Sequence, residues 1–390
     1  MPTQVNARVV ALVVGIVLPV LTVRQSAAQA HGEDVPEELQ RPFTRAMFTN
    51  ANTGYVYHVG DRTVTIATAD GGATWRLAMD TLASRPDKAS TGIFFLDLNT
   101  FWILHRDCTI QKTTDGGRTF LDLTARALDP LGHPVLDRHG HPRRLTCGGL
   151  FFRNRDLGWV ACGDMVLRTS DGGESWQWTA LPAGVSAAFD PWFFGDQEGM
   201  AVGHGVVRTT DGGQTWQAVS GAPTRLDELS CTQSGFCVAG MTAYGPLFAS
   251  SDHGRTWTDL KVPLKPDQQD ELLGFQAVSA NFAVAVGRDN GERIEDFDQR
   301  IAAGGAHPPV RGLILKWDGM TWTRITHDAP RDLAGVFFVD ANNGWFPDFE
   351  NTIYKTTDGG QTLHFVPDYF RQIAALTPSP APFVLPTPSP

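Results

Sequence analysis

The stretch V-V-R-T-T-D-G-G-Q-T-W, Val206 to Trp216, sets a threonine two residues before an aspartate, two glycines after it and a tryptophan five residues on. The chain repeats this frame. A-T-A-D-G-G-A-T-W ends at Trp75, K-T-T-D-G-G-R-T-F at Phe120 and R-T-S-D-G-G-E-S-W at Trp176. A-S-S-D-H-G-R-T-W ends at Trp257 and K-T-T-D-G-G-Q-T-L at Leu363, while L-K-W-D-G-M-T-W, ending at Trp322, is one residue short. The aspartates are Asp70, Asp115, Asp171, Asp211, Asp252, Asp318 and Asp358, and by subtraction they stand 45, 56, 40, 41, 66 and 40 residues apart. The floor of about 40 is one structural unit, and the longer intervals are that unit plus insertions.

Upstream of each copy lies a second repeat: an apolar run, a polar turn, then another apolar run ending in small residues. C-G-G-L-F-F-R-N-R-D-L-G-W-V-A-C-G-D and F-D-P-W-F-F-G-D-Q-E-G-M-A-V-G-H-G are two examples. This is the pattern of a hairpin buried on both faces. Joined to the aspartate half, each unit has four short strands, a to d, and no helical periodicity separates them. Seven such units predict an all-β chain, a seven-bladed β-propeller spanning residues 42–370. The aspartate falls in the c–d turn, where its carboxylate accepts backbone N–H groups and the glycines take up positive φ. Its expected role is a structural staple.

These copies are identified as Asp-box, or BNR, repeats, which also occur in bacterial sialidases, sortilin-type receptors and xyloglucan-cleaving enzymes. V-F-F-V-D-A-N-N-G-W-F followed by I-Y-K-T-T-D-G-G-Q-T (Val336 to Thr362), and F-F-G-D-Q-E-G-M-A-V-G-H-G-V-V-R-T-T-D-G-G-Q-T-W (Phe193 to Trp216), most resemble the photosystem II stability/assembly factor family. That resemblance implies a non-enzymatic, chaperone-like or scaffolding propeller that binds a protein partner, such as a subunit of a membrane complex, and needs no cofactor.

Arg8 precedes an apolar run from Val9 to Val23, and S-A-A-Q-A then offers a cleavage site after Ala30. Residues 1–30 therefore read as a signal peptide, followed by an extension over 31–41, and the mature chain is expected to be exported as a monomer with no stable membrane insertion. A formal charge of −10 argues against nucleic acid as a partner. The Pro-rich segment 371–390 reads as an exposed tail. Among five cysteines, Cys231 and Cys237 flank the turn T-Q-S-G-F, and Cys147 and Cys162 are symmetrical about a turn centred between Asn154 and Arg155. Both pairs are candidate cross-strand disulfides, which leaves Cys108 over as a free thiol.

Three stretches could carry chemistry. G-H-P-V-L-D-R-H-G-H-P groups His133, Asp137, His139 and His141, but in a Pro/Gly-rich insertion that reads as a solvated loop rather than a metal site. Lys265–Glu271 and Arg288–Arg300 are acidic, as a glycosidase's carboxylate pair would be, yet Arg288, Arg293 and Arg300 would hold those carboxylates ionised. Lys112, Arg168, Arg208 and Lys355 each stand three before a box aspartate and form an arc, interrupted by Ala67 and Ala249. Their stems can cover neighbouring blades, and their heads could bind an acidic partner segment. The alternative to a partner-binding propeller is a carbohydrate-active one, hydrolytic, sialidase-like or lectin-like. The three insertions, Asp122–Arg144, Val262–Glu271 and Arg288–Arg311, should all rise from the face opposite the Asp-boxes, where long loops would grip a partner.

Overall fold

The computed structural model describes residues 44–60, 62–82, 89–124, 146–242, 245–265, 270–289, 311–325 and 332–366. The expected signal segment, the 31–41 extension, the 371–390 tail, the His133–His141 cluster and most of the three insertions lie outside them. All described residues belong to the unit Pro36–Pro390. None of their elements is a helix long and apolar enough to cross a membrane.

The first blade is β1 (Arg45–Phe48), β2 (Gly54–His58), β3 (Arg62–Thr68) and β4 (Arg76–Leu82), and the second is β5 (Ser90–Phe95), β6 (Phe101–His105), β7 (Thr109–Thr113) and β8 (Leu121–Thr124). Blade 3 is β9 (Cys147–Phe152), β10 (Gly158–Cys162), β11 (Met165–Thr169) and β12 (Gln177–Ala180). Blade 4 is β13 (Ser186–Phe193), β14 (Gly199–Thr209) and β15 (Gln217–Ala218). Blade 5 is β16 (Glu228–Cys231), β17 (Cys237–Gly240), β18 (Leu247–Ser250) and β19 (Thr258–Asp259). Blade 6 is β20 (Glu271–Ser279), β21 (Phe282–Asp289), β22 (Arg311–Trp317) and β23 (Trp322–Arg324), and blade 7 is β24 (Phe337–Phe338), β25 (Gly344–Pro347), β26 (Ile353–Thr356) and β27 (His364–Phe365).

Each blade is one antiparallel meander, and the seven form a ring: a seven-bladed β-propeller. Blade 4 departs from the four-strand expectation. Its second and third positions fall in one segment, β14, whose first half pairs with β13 and second half with β15. Gly205, at φ 115°, lies between the halves.

Cohesion comes from aromatic stacking between blades. Trp102 of blade 2 stacks on Phe152 of blade 3 at 3.7 Å, and Trp159 of blade 3 on Phe193 of blade 4 at 3.4 Å. Trp345 of blade 7 stacks on Phe48 of blade 1 at 3.5 Å, which closes the ring. The glycine before the tryptophan in G-W explains itself here. Gly158 lies opposite Phe152 in register, and an added Cβ would meet that ring at 2.4 Å. Without it the phenylalanine could not lie flat under the neighbouring indole. The tryptophan five after the aspartate completes the set edge-on, as Trp176 does against Phe152 and Trp216 against Phe193. Burying each such ring stabilises the fold by about 1.5–3 kcal/mol.

Candidate functional site

The Asp-box carboxylates recur in every blade. All seven lie in c–d turns. In blade 4, Asp211 Oδ1 accepts the Thr209 hydroxyl at 2.7 Å and the Thr215 N–H at 2.9 Å, while Oδ2 accepts the Thr215 hydroxyl at 2.6 Å. Thr209 Oγ1 in turn accepts the Gly213 N–H at 2.8 Å. Asp70, Asp115, Asp171, Asp252 and Asp358 repeat this arrangement. Burial opposes the charged form of Asp211, but these hydroxyl and N–H donors outweigh it and hold the pKa at about 2. Asp318, in the shortened box, accepts Met320 and Thr321 N–H groups.

The next residue along clamps the turn to its own blade. The Gly212 N–H donates to Gln197 O at 2.8 Å in the a–b turn, and Gly71, Gly116, Gly172, His253 and Gly359 do the same in their blades. Asp-boxes and a–b turns therefore share one face. The other carries the b–c turns and the links between blades, from which the three insertions depart.

Three of the four residues of the basic arc are engaged in contacts between blades. Lys112 Nζ donates to Gly172 O at 3.4 Å and to Arg155 O at 3.3 Å in blade 3, while lying 5.4 Å from the Trp102 ring. Arg208 Nε donates to His253 O at 2.8 Å in blade 5, and its guanidinium also meets Glu198 at 2.5 Å. Lys355 Nζ donates to Gly71 O at 3.1 Å. Arg168 is half-buried on β11. Glu198 gathers Arg208, Arg255 and His253 Nδ1. Its burial is outweighed by the His253 bond and the two guanidiniums, so its pKa is lowered. No sequence signal pointed to this cluster, because its members come from two blades.

The described parts of the acidic stretches are likewise held by arginines. Asp270, fully buried, pairs with Arg324, whose other nitrogen meets Asp289 at 2.6 Å. Arg288 meets Asp332 at 2.5 Å and Glu271 at 3.4 Å. Arg324 and Asp332 were not singled out from the sequence, since they lie a strand or more away from those stretches.

Around the axis, the seven a strands line a channel of about 950 Å³. Level with one another along the inner strands stand Arg45, Gly92, Gly149, Asp190, Glu228, Gly274 and Gly335, paired in register to Tyr57, Leu104, Ala161, Val202, Gly240, Val286 and, through its N–H, Pro347 O. One layer of the channel thus holds four glycines and three ionisable side chains. The missing side chains leave Arg45 room to reach from blade 1 to blade 5, where Nη1 meets Glu228 Oε1 at 2.6 Å. The Arg45 side chain is 51% exposed and that of Glu228 16%, both toward the channel. Glu228 Oε2 is buried and accepts no hydrogen bond among the described residues. Asp190 Oδ2 accepts the Leu229 N–H at 3.1 Å. Burial first, and the Glu228 charge second, push the Asp190 pKa up to about 7. Burial also raises the Tyr57 hydroxyl. Sequence reading missed this layer: its residues are single letters in seven different units, and only the common register brings them together.

The cysteines depart from expectation at one point. Cys231 and Cys237 face each other across β16 and β17 in a disulfide, with Cα atoms 4.0 Å apart. Cys147 and Cys162 also face each other, but the turn is centred on Arg155, not beside it. A bulge at Gly148 shifts the register by one residue and restores the pairing. Cys108 is not remote from the other cysteines. Its sulfur lies against Cys147, in a buried group of three with Cys162. The β6–β7 turn carries it there, at φ 62°, a contact between blades that hairpin symmetry within one unit cannot show.

Residues 145–263 match the family model described as photosynthesis system II assembly factor YCF48, a range that holds blades 3 to 5. Comparison with curated proteins returns no match. Among solved structures, a YCF48 bound to a D1 peptide is similar at TM-score 0.54 and 18% identity, over 73% of this chain and 83% of that one. YCF48 from Cyanidioschyzon merolae is similar at TM-score 0.52 and 13% identity, over 83% and 98%. A GH74 xyloglucanase from Xanthomonas campestris is similar at TM-score 0.58 and 14% identity, over 86% of this chain but 55% of the enzyme. At these identities the structural likenesses show the fold alone. The chain is a seven-bladed Asp-box (BNR) β-propeller whose third to fifth blades match the photosystem II assembly factor family.

Proposed function

We propose that this protein is an exported, non-enzymatic propeller that binds a segment of a protein partner at the mouth of its central channel, as an assembly factor for a membrane complex. The observation that supports it best is the charged layer. Arg45, Asp190 and Glu228 are the only side chains at its seven positions, four glycines leave space beside them, and half of the Arg45 side chain is exposed to the channel. An acceptor on the peptide, such as a carboxylate or backbone carbonyl, would meet the exposed part of the Arg45 guanidinium that Glu228 holds, and aromatic residues on the channel wall (Phe94, Phe151, Trp192, Phe275) would pack its apolar parts. The seven box aspartates are already committed to their own turns. The likeness to a YCF48 structure with a bound D1 peptide is consistent with peptide binding. Retention from native envelope extract tests the reading. Full-length protein should hold one defined protein, and a Glu228→Gln/Arg45→Ala variant should lose at least ten-fold of it; undiminished retention by that variant would overturn the channel as the site.

A second reading is carbohydrate chemistry, favoured by the Asp190–Glu228 carboxylate pair, one member of which has a pKa near neutrality, and by the likeness to GH74 enzymes. A panel of reporter glycosides separates the two. Turnover abolished by Asp190→Asn would establish the second reading.

A further inference from the structure

Cys108, Cys147 and Cys162 are each 1% exposed, and their Sγ atoms all lie within 4.8 Å of one another. The structure bonds Cys147 to both of the others. A cysteine sulfur carries its own Cβ and one further bond, so the two disulfides are alternatives. Both have backbones placed for bonding, with Cα separations of 5.5 Å for Cys108–Cys147 and 4.1 Å for Cys147–Cys162. Their consequences differ. Cys147–Cys162 joins neighbouring strands β9 and β10 of blade 3 and closes 15 residues. Cys108–Cys147 joins blade 2 to blade 3 and closes 39 residues, a loop of sequence that contains the insertion Asp122–Arg144.

We propose that these three cysteines form an exchangeable disulfide site with Cys147 as the shared sulfur, switching between a bond within blade 3 and a bond between blades 2 and 3. In the forward step the Cys108 thiolate attacks Cys147 Sγ. The Cys108–Cys147 bond forms, the Cys147–Cys162 bond breaks, and the electron pair leaves with Cys162 as thiolate, which takes up the proton Cys108 released. The step is an isomerisation: two electrons' worth of oxidation is conserved, and no outside oxidant or reductant enters. Leu104, Ile110, Leu150, Met165 and Trp176 pack around the sulfurs, which keeps external thiols out and leaves the third cysteine as the nearest nucleophile; because apolar surroundings disfavour a thiolate, the exchange should be slow and speed up at alkaline pH. Cys108 also sits at φ 62° in a short turn, a position few cysteines adopt, and one that delivers its sulfur to the neighbouring blade.

Acid-trapped, alkylated full-length protein, digested without reductant, reads the site directly. The expected result is one labelled thiol per molecule among the three cysteines, with both cross-linked peptides, 108–147 and 147–162, present in one sample. Cys108→Ser should convert all of it to 147–162 and Cys162→Ser all of it to 108–147. Held at pH 8 and then trapped, wild type prepared under two different oxidation regimes should reach the same ratio of isomers. A single isomer that persists through that incubation, a 108–162 bond in the wild type, or three reduced thiols carrying a stoichiometric metal ion by elemental analysis would each overturn the proposal.

Discussion

Lys355 Nζ, on the third strand of the last blade, donates to the backbone carbonyl of Gly71, 3.1 Å away in the Asp-box of the first. Lys112 makes the same reach from blade 2 to Gly172 of blade 3. A cation three residues before one box therefore caps the turn of the next, and at the seam this contact joins the two ends of the described ring. Lys355→Met keeps the apolar stem over Trp345 but removes the donor. It should destabilise the fold by about 1–2 kcal/mol in urea titration, with faster unfolding. Unchanged stability would make the contact incidental.

Asp211→Ala removes an acceptor of three hydrogen bonds from the blade 4 turn. The expected loss is about 1–2 kcal/mol at pH 7. The pKa of Asp211 is depressed in the fold, so its contribution is fully present above the ordinary carboxylate value near 3.8 and is lost as pH falls toward 2. The difference between wild type and variant should accordingly shrink between pH 4 and pH 2, which chemical unfolding across that range will read.

Asp190 carries the opposite sign. Its pKa is raised to about 7, so the folded state holds a proton there that the unfolded state has released, and stability declines as pH rises from about 4 through 7. Asp190→Asn should match wild type at pH 3.5 and exceed it at pH 8. The gain should be about 1–2 kcal/mol, less than the full shift because channel solvent screens the charge. An equal difference at both pH values would mean that Asp190 is not buried as its neighbours imply.

Gly335→Ala probes the seam from the channel side. An added Cβ would lie 2.2 Å from Thr44 O, so backbone must move. The variant should lose about 2 kcal/mol or more, against a change within about 0.5 kcal/mol for an alanine at an ordinary surface site. Thermal melts of Gly335→Ala beside Gly195→Ala, whose Cβ would meet nothing, give the comparison.

What the sequence showed and what it hid divide along a physical line. The Asp-box is local: Thr209, Asp211, Gly213 and Thr215 bond one another within seven residues, so their spacing alone announces the turn, and seven turns announce the ring. The Cys231–Cys237 pairing is local too. Contacts between units are another matter. Arg45 and Glu228 are 183 residues apart, Glu198 and His253 55, and Cys108 and Cys147 39. Nothing in one repeat says which face of the next it will touch. The Gly148 bulge shows the same limit at short range, since a count of residues about a turn cannot detect one that is unpaired.

The most direct test of partner binding in the channel is site-specific photo-crosslinking in native envelope. A benzoylphenylalanine in place of Tyr57, on the channel wall, should crosslink one defined protein, and Glu228→Gln in the same chain should abolish the adduct. The same probe at the exposed Glu174 on the Asp-box face should give none. Crosslinks to that protein from position 174 alone, or capture of the protein with no adduct at position 57, would contradict the account.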